Sequence, residues 1–117
     1  MIYLASPYTH DSIDVMNERF EKVCRAAADL MQSGELVYSP IAHGHAIAVQ
    51  NELPVQWEYW RDNCIWFIER CSEIVVLTLD GWRNSTGVQA EIEIAKSHGK
   101  PVRLMTEDLQ FDMRGDF

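Results

Sequence analysis

Hydrophobic positions along the 117-residue chain follow two kinds of spacing. Short unbroken apolar runs at Ile2–Ala5 and in "EIVVLTL" have the length of strands, and the second is continuous, as expected when both faces of a sheet are covered. Between them Met16, Phe20, Val23, Ala27, Leu30 and Met31 recur three and four apart, which predicts an amphipathic helix over about 14–32 that stops at Gly34. Residues 36–39 predict a second strand, with Pro40 just past it. "IAHGHAIAVQNEL" fits either a loop or a short helix. Pro54 suits the first turn of a helix carrying Trp57, Trp60, Cys64, Phe67, Ile68 and Cys71 on one side. The turn-rich "DGWRNSTG", with a cap at Ser85 or Thr86, leads into a helix over about 87–98 that ends at Gly99. Pro101 then opens a last strand, "PVRLM". From Thr106 onward no period is visible, and this tail is expected to pack on another subunit or to fray.

Strands alternating with helices predict an α/β fold, a flavodoxin-like three-layer sandwich with a short parallel sheet in the order 2-1-3-4 and right-handed crossovers. One domain over residues 1–117 is expected. In such sheets ligands sit beyond the carboxyl ends of the strands, where the strand order reverses. That places the candidate site between "SPYTH" after the first strand and "DGWRNSTG" after the third.

Charge narrows the partners. Ten Lys plus Arg against 18 Asp plus Glu give a net charge of -8 without a basic cluster, which argues against nucleic acid. A small anion can still bind at a helix start, where backbone N–H groups act locally. No apolar run approaches the roughly 20 residues of a membrane span, and "MIYLASPYTHD" lacks the regions of a signal peptide. A cytoplasmic protein without a membrane partner is expected. Cys24, Cys64 and Cys71 form no CxxC pair, so buried free thiols are expected. His43 and His45 have no third ligand at a recognisable spacing, so neither metal nor cofactor is expected. His43, following the second strand at the same sheet edge, is instead expected to line the pocket. Trp57, Trp60 and Trp66 are expected in the core or a subunit interface.

The candidate chemistry starts from Tyr3. A phenol inside a buried strand needs a polar partner. Glu91 lies in the second turn of the last helix, beside Val88, Ile92 and Ala95, which face the sheet, so its carboxylate looks back toward the strand ends where Tyr3 stands. The phenol would orient the carboxylate, and the helix start would favour the ionised form that a nucleophile requires. The plainer reading of Glu91 is a solvated acidic residue matched to the helix dipole.

The segments "IYLAS", "RDNCIWFIERCSEIVVLTL" and "STGVQAEIEIA" together resemble the nucleoside 2-deoxyribosyltransferase superfamily, above all its 2'-deoxynucleoside 5'-monophosphate N-glycosidases. "SPIAH" and "LDGW" are shared with a small bacterial and phage branch of that superfamily. The resemblance implies that Glu91 is the nucleophile, held by Tyr3, and that Asp62 protonates or holds the departing base. It implies a glutamyl-glycosyl intermediate resolved by water. Nucleoside transferases of the superfamily tend to carry Asp six residues before the glutamate, and the nucleotide hydrolases carry Ser, as here at Ser85. The implied substrate is therefore a (deoxy)nucleoside 5'-monophosphate, its phosphate cradled by Ser85, Thr86 and Gly87 with Ser6 as a second hydroxyl. Tyr8, in a first loop without a glycine-rich turn, would stack on the base or simply pack, and Trp82 and Arg83 in the third loop would cover base and phosphate or be incidental exposed residues. Glu91 is followed here by Ile92 and Glu93 where the superfamily often has Leu-Gly. The competing functions are a deoxyribosyltransferase and a non-catalytic nucleotide sensor. The superfamily also implies a homo-oligomer, a dimer or larger.

Overall fold

A computed structural model describes residues 1–112. The chain runs β1 (Ile2–Ala5), α1 (Ile13–Gln32), β2 (Val37–Tyr38), α2 (Pro40–Asn51), α3 (Trp57–Arg70), β3 (Glu73–Leu77), a 3-10 turn (Trp82–Asn84), α4 (Thr86–Ser97), β4 (Val102–Met105) and β5 (Phe111–Asp112). The fold is α/β with the sheet order β2-β1-β3-β4-β5, compatible with a flavodoxin-like three-layer sandwich. Strands β1 to β4 are parallel, as the expected order 2-1-3-4 requires, and β5 is antiparallel to β4.

The alternation of side chains in the strands sorts the core into two layers. Ile2, Leu4, Val75, Leu77 and Met105 pack on Val23, Ala26, Ala27 and Leu30 of α1. Tyr3, Ala5, Ile74, Val76 and Leu104 point the other way, onto Cys64 and Ile68 of α3 and Val88, Ile92 and Ala95 of α4. The registers Tyr3 against Ile74 and Ala5 against Val76 keep each row on one face. Tyr3 is thus a fully buried phenol on the α3 and α4 side.

Three elements differ from the sequence expectation. The ambiguous stretch after the second strand is helix α2, which starts where Ser39 caps the N–H of Ala42 at 3.0 Å and Pro40 occupies the first turn. Pro54 does not open α3. That helix starts at Trp57, and the Pro54 carbonyl instead accepts from Trp60 Nε1 at 2.8 Å. The tail, without a visible period in the sequence, contains strand β5, in which Phe111 and Asp112 pair with Met105 and Leu104 of the same chain. Its last five residues lie outside the described ones. Among the described residues, no helix is long and apolar enough to cross a membrane.

Candidate active site

The order reversal between β1 and β3 leaves a cavity of about 450 Å³ at the carboxyl edge of the sheet. Its size falls in the range of small-molecule sites. The two loops at this edge are tied together by Arg19 of α1, which donates to the carbonyls of Tyr8 at 3.3 Å, Thr9 at 3.2 Å and Asp80 at 3.1 Å. Gly81, at φ +88°, follows that last carbonyl. A side chain there would meet Arg19 Nη2 at 3.2 Å, besides being strained at such a φ. Thr9 Oγ1 also donates to the Val55 carbonyl at 2.9 Å, holding the first loop to the segment before α3.

Inside the cavity Tyr3 finds its partner: its hydroxyl donates a short hydrogen bond to Glu91 Oε2. Glu91 is only 4 % exposed and lines the cavity. Burial pushes its carboxyl up to about 8, and the bond from Tyr3 offsets part of that rise. The position near the helix start predicts an ionised carboxylate, but loss of water outweighs the dipole, so the group is largely protonated at neutral pH. Burial, then the neighbouring Glu91 charge, holds the Tyr3 phenol well above its ordinary range, so Tyr3 stays a donor. Cys64 on the cavity wall is pushed up to about 12, first by burial and then by Glu91, which leaves an inert thiol.

The first turn of α4 stands beside this pair. Ser85 caps the helix by accepting from the Val88 N–H at 3.3 Å, which leaves its own hydroxyl proton to donate. Thr86 and Gly87 N–H groups have no partner within the helix. A methyl group at Gly87 would stand 3.7 Å from the Trp57 ring and 4.0 Å from Glu91 Oε1, so ring and carboxylate flank the same turn. Ser6 lines the cavity too, and its hydroxyl is buried without a hydrogen-bond partner among the described residues. A buried hydroxyl in that state is uncommon.

Of the residues singled out from sequence, Tyr3, Ser6, Tyr8, Ser85, Thr86, Gly87 and Glu91 converge here. Four do not. Asp62 lies on the outer side of α3 with its side chain 97 % exposed, and its nearest charge is Arg61 at 3.8 Å. From there it does not reach the cavity to hold a departing base. His43 is exposed, tilted against the Tyr38 ring at 5.8 Å, and it is His45, two residues on, that lines the cavity. Trp82 packs partly buried against the core, and Arg83 lies over its ring at 4.6 Å, away from the cavity. Tyr8 keeps its place in the cavity wall, with its hydroxyl 2.6 Å from His45 Nδ1 and its ring perpendicular to the imidazole.

Trp57 and Trp60, expected in the core or an interface, pack partly buried against the core and also line the cavity with Tyr8 and Tyr38, while Trp66 is 52 % exposed. Gly44 of α2 faces the Trp60 indole, and a methyl group at that position would meet the ring at 3.6 Å, an ordinary contact. Sequence reasoning did not single out Arg19, His45, Glu58 or Asn63 for this cavity. Among the described residues, no group of three or more His, Cys, Asp or Glu side chains is placed to hold a metal ion.

Fold and site together define an α/β protein with a buried, phenol-bound carboxylate at its topological switch point. The family model for DUF1937, a domain of unknown function, matches residues 1–107, and the chain belongs to that family. No curated protein matches the chain.

Proposed function

We propose that the protein is an N-glycosidase that hydrolyses the base–sugar bond of a (deoxy)nucleoside 5'-monophosphate through a glutamyl-glycosyl intermediate. The observation that carries this reading is the bond from Tyr3 to Glu91 inside a cavity bordered by the open first turn of α4. Tyr3 engages Oε2, which leaves Oε1, the oxygen beside Gly87, to attack the anomeric carbon. The glycosidic bond loosens through an oxocarbenium-like state, the carboxylate closes on C1', and water then opens the ester. The phosphate sits on the Thr86 and Gly87 N–H groups with the Ser85 and Ser6 hydroxyls. A helix start needs no net positive charge to take an anion, which reconciles this site with the chain's charge of -8.

The test is base release from a panel of nucleoside and deoxynucleoside monophosphates, followed chromatographically for the unsubstituted protein and for Glu91→Gln. Release that falls by at least about 10³-fold in the variant supports the reading. Binding without release would make the protein a sensor, and release only with a second free base would make it a transferase. Ser85→Asp keeps a good helix cap while placing a negative charge against the phosphate, so it should shift preference from the monophosphate to the nucleoside. Unchanged preference removes the cradle.

A further inference from the structure

We propose that His45, held by Tyr8, is a second catalytic residue of this site, donating a hydrogen bond to the departing base. This rests on the glycosidase reading and assigns the base-side group that Asp62, standing in solvent, leaves unfilled.

The placement follows from the two helical layers. Glu91 belongs to the α3 and α4 side of the sheet, packed with Val88 and Ile92. His45 comes from α2 and stacks on Phe20 of α1, with ring centroids 4.2 Å apart and planes 22° apart, so it belongs to the opposite wall. Both side chains line the one cavity. When a nucleophile closes on one face of an anomeric carbon, the departing group leaves from the other face. A base displaced by Glu91 therefore moves toward the wall that carries His45.

The chemistry of the pair suits that position. Burial raises the Tyr8 phenol above its ordinary range, so its hydroxyl keeps its proton, and it lies 2.6 Å from Nδ1; we assign the tautomer in which the phenol donates to Nδ1. An imidazole accepting at Nδ1 carries its proton on Nε2. Burial also lowers the His45 ring's affinity for a second proton, so it remains a neutral donor with one N–H. Phe20 stacked on one side and Tyr8 edge-on at 5.5 Å fix the ring's orientation. A donor held in place before the reaction stabilises developing charge without reorganising.

The step balances without transferring the histidine's proton. The C1'–N bond breaks and its electron pair leaves on the base nitrogen, while the Glu91 Oε1–C1' bond forms. The Nε2–H of His45 hydrogen-bonds the anionic base. Water later opens the ester and releases one proton, which matches the one taken up by the base. His45 matters most when the base leaves as an anion, and least when it leaves neutral.

That asymmetry supplies the experiment. Single-turnover base release is measured for 2'-deoxyguanosine 5'-monophosphate and 2'-deoxyuridine 5'-monophosphate, each beside a better leaving group of similar shape, N7-methylguanine and 5-fluorouracil. In His45→Leu, release of guanine or uracil should fall about 10²- to 10³-fold, with a much smaller loss for the activated partner. Tyr8→Phe, which frees the imidazole tautomer but keeps the ring, should show the same asymmetry at about 10-fold. It serves as the second reading if His45→Leu fails to fold. Equal losses on both members of each pair would make the two residues structural and overturn the assignment while leaving the nucleophile in place. No release from any probe by the unsubstituted protein would overturn the glycosidase reading, and this inference with it.

Discussion

Two carboxylates on neighbouring helices, Glu91 on α4 and Asp62 on α3, invite comparison because residue type and resemblance single out both. Glu91 is buried, bound by a phenol and pushed up to about 8 by burial; Asp62 is bathed in water beside Arg61. The difference is set by the helical wheel. Trp60, Cys64 and Ile68 mark the inward side of α3, and Asp62 lies two residues from both Trp60 and Cys64, about 200° around the axis. Glu91 sits three residues after Val88 and one before Ile92, within the buried stripe of α4. Chemical competence therefore comes from the side of the helix, and residue type alone does not distinguish the two.

The strongest way to sharpen this contrast is to measure what burial of Glu91 does to stability. Its folded value, about 8, lies above the ordinary carboxyl value, so between about pH 4.5 and 8 the unfolded chain ionises while the native group does not. The native state then binds more protons, and stability falls across that window and levels off above it. Glu91→Gln removes this dependence, so its advantage in urea unfolding should grow from near zero at pH 4.5 to on the order of a few kcal/mol at pH 8. A constant difference across the window would mean that the carboxyl is solvated. Removing the phenol comes next. Tyr3→Phe deletes the bond that restrains the rise, so the acid limb of kcat/KM, expected near pH 8, should move upward and activity at pH 7 should drop roughly 10-fold or more. An unmoved limb would break the coupling between the pair. The smallest effect belongs to Asp62→Asn, within about 2-fold in base release and about 0.5 kcal/mol in stability, because an exposed pair contributes little. A large loss of release there would return Asp62 to the chemistry.

Much of the fold was legible because period and punctuation agreed: the apolar run of β3, the three-and-four spacing of α1 and the glycines after α1 and α4 all mark real elements. α2 was legible too, had Ser39-Pro40 been read as a cap and first-turn pair and not as the end of a strand. The two-residue β5 was not, because its pairing with β4 depends on a turn over 106–110 and not on any alternation of its own. At the site, the partnership of Tyr3 and Glu91 followed from a buried phenol's need for an acceptor. The protonation state did not follow, since a helix start argues for ionisation and only the depth of the cavity reverses it. His45 was hidden for a similar reason: on a helix of weak polar contrast, the loop-or-helix ambiguity left open which of two histidines faces inward.

Arg19 has five N–H donors and commits three of them to the carbonyls of Tyr8, Thr9 and Asp80. Two segments some seventy positions apart in the chain thus share a single rivet at the rim. Any breathing of one must drag the other with it, and a lysine, with equal charge but no planar fork, would let them drift independently.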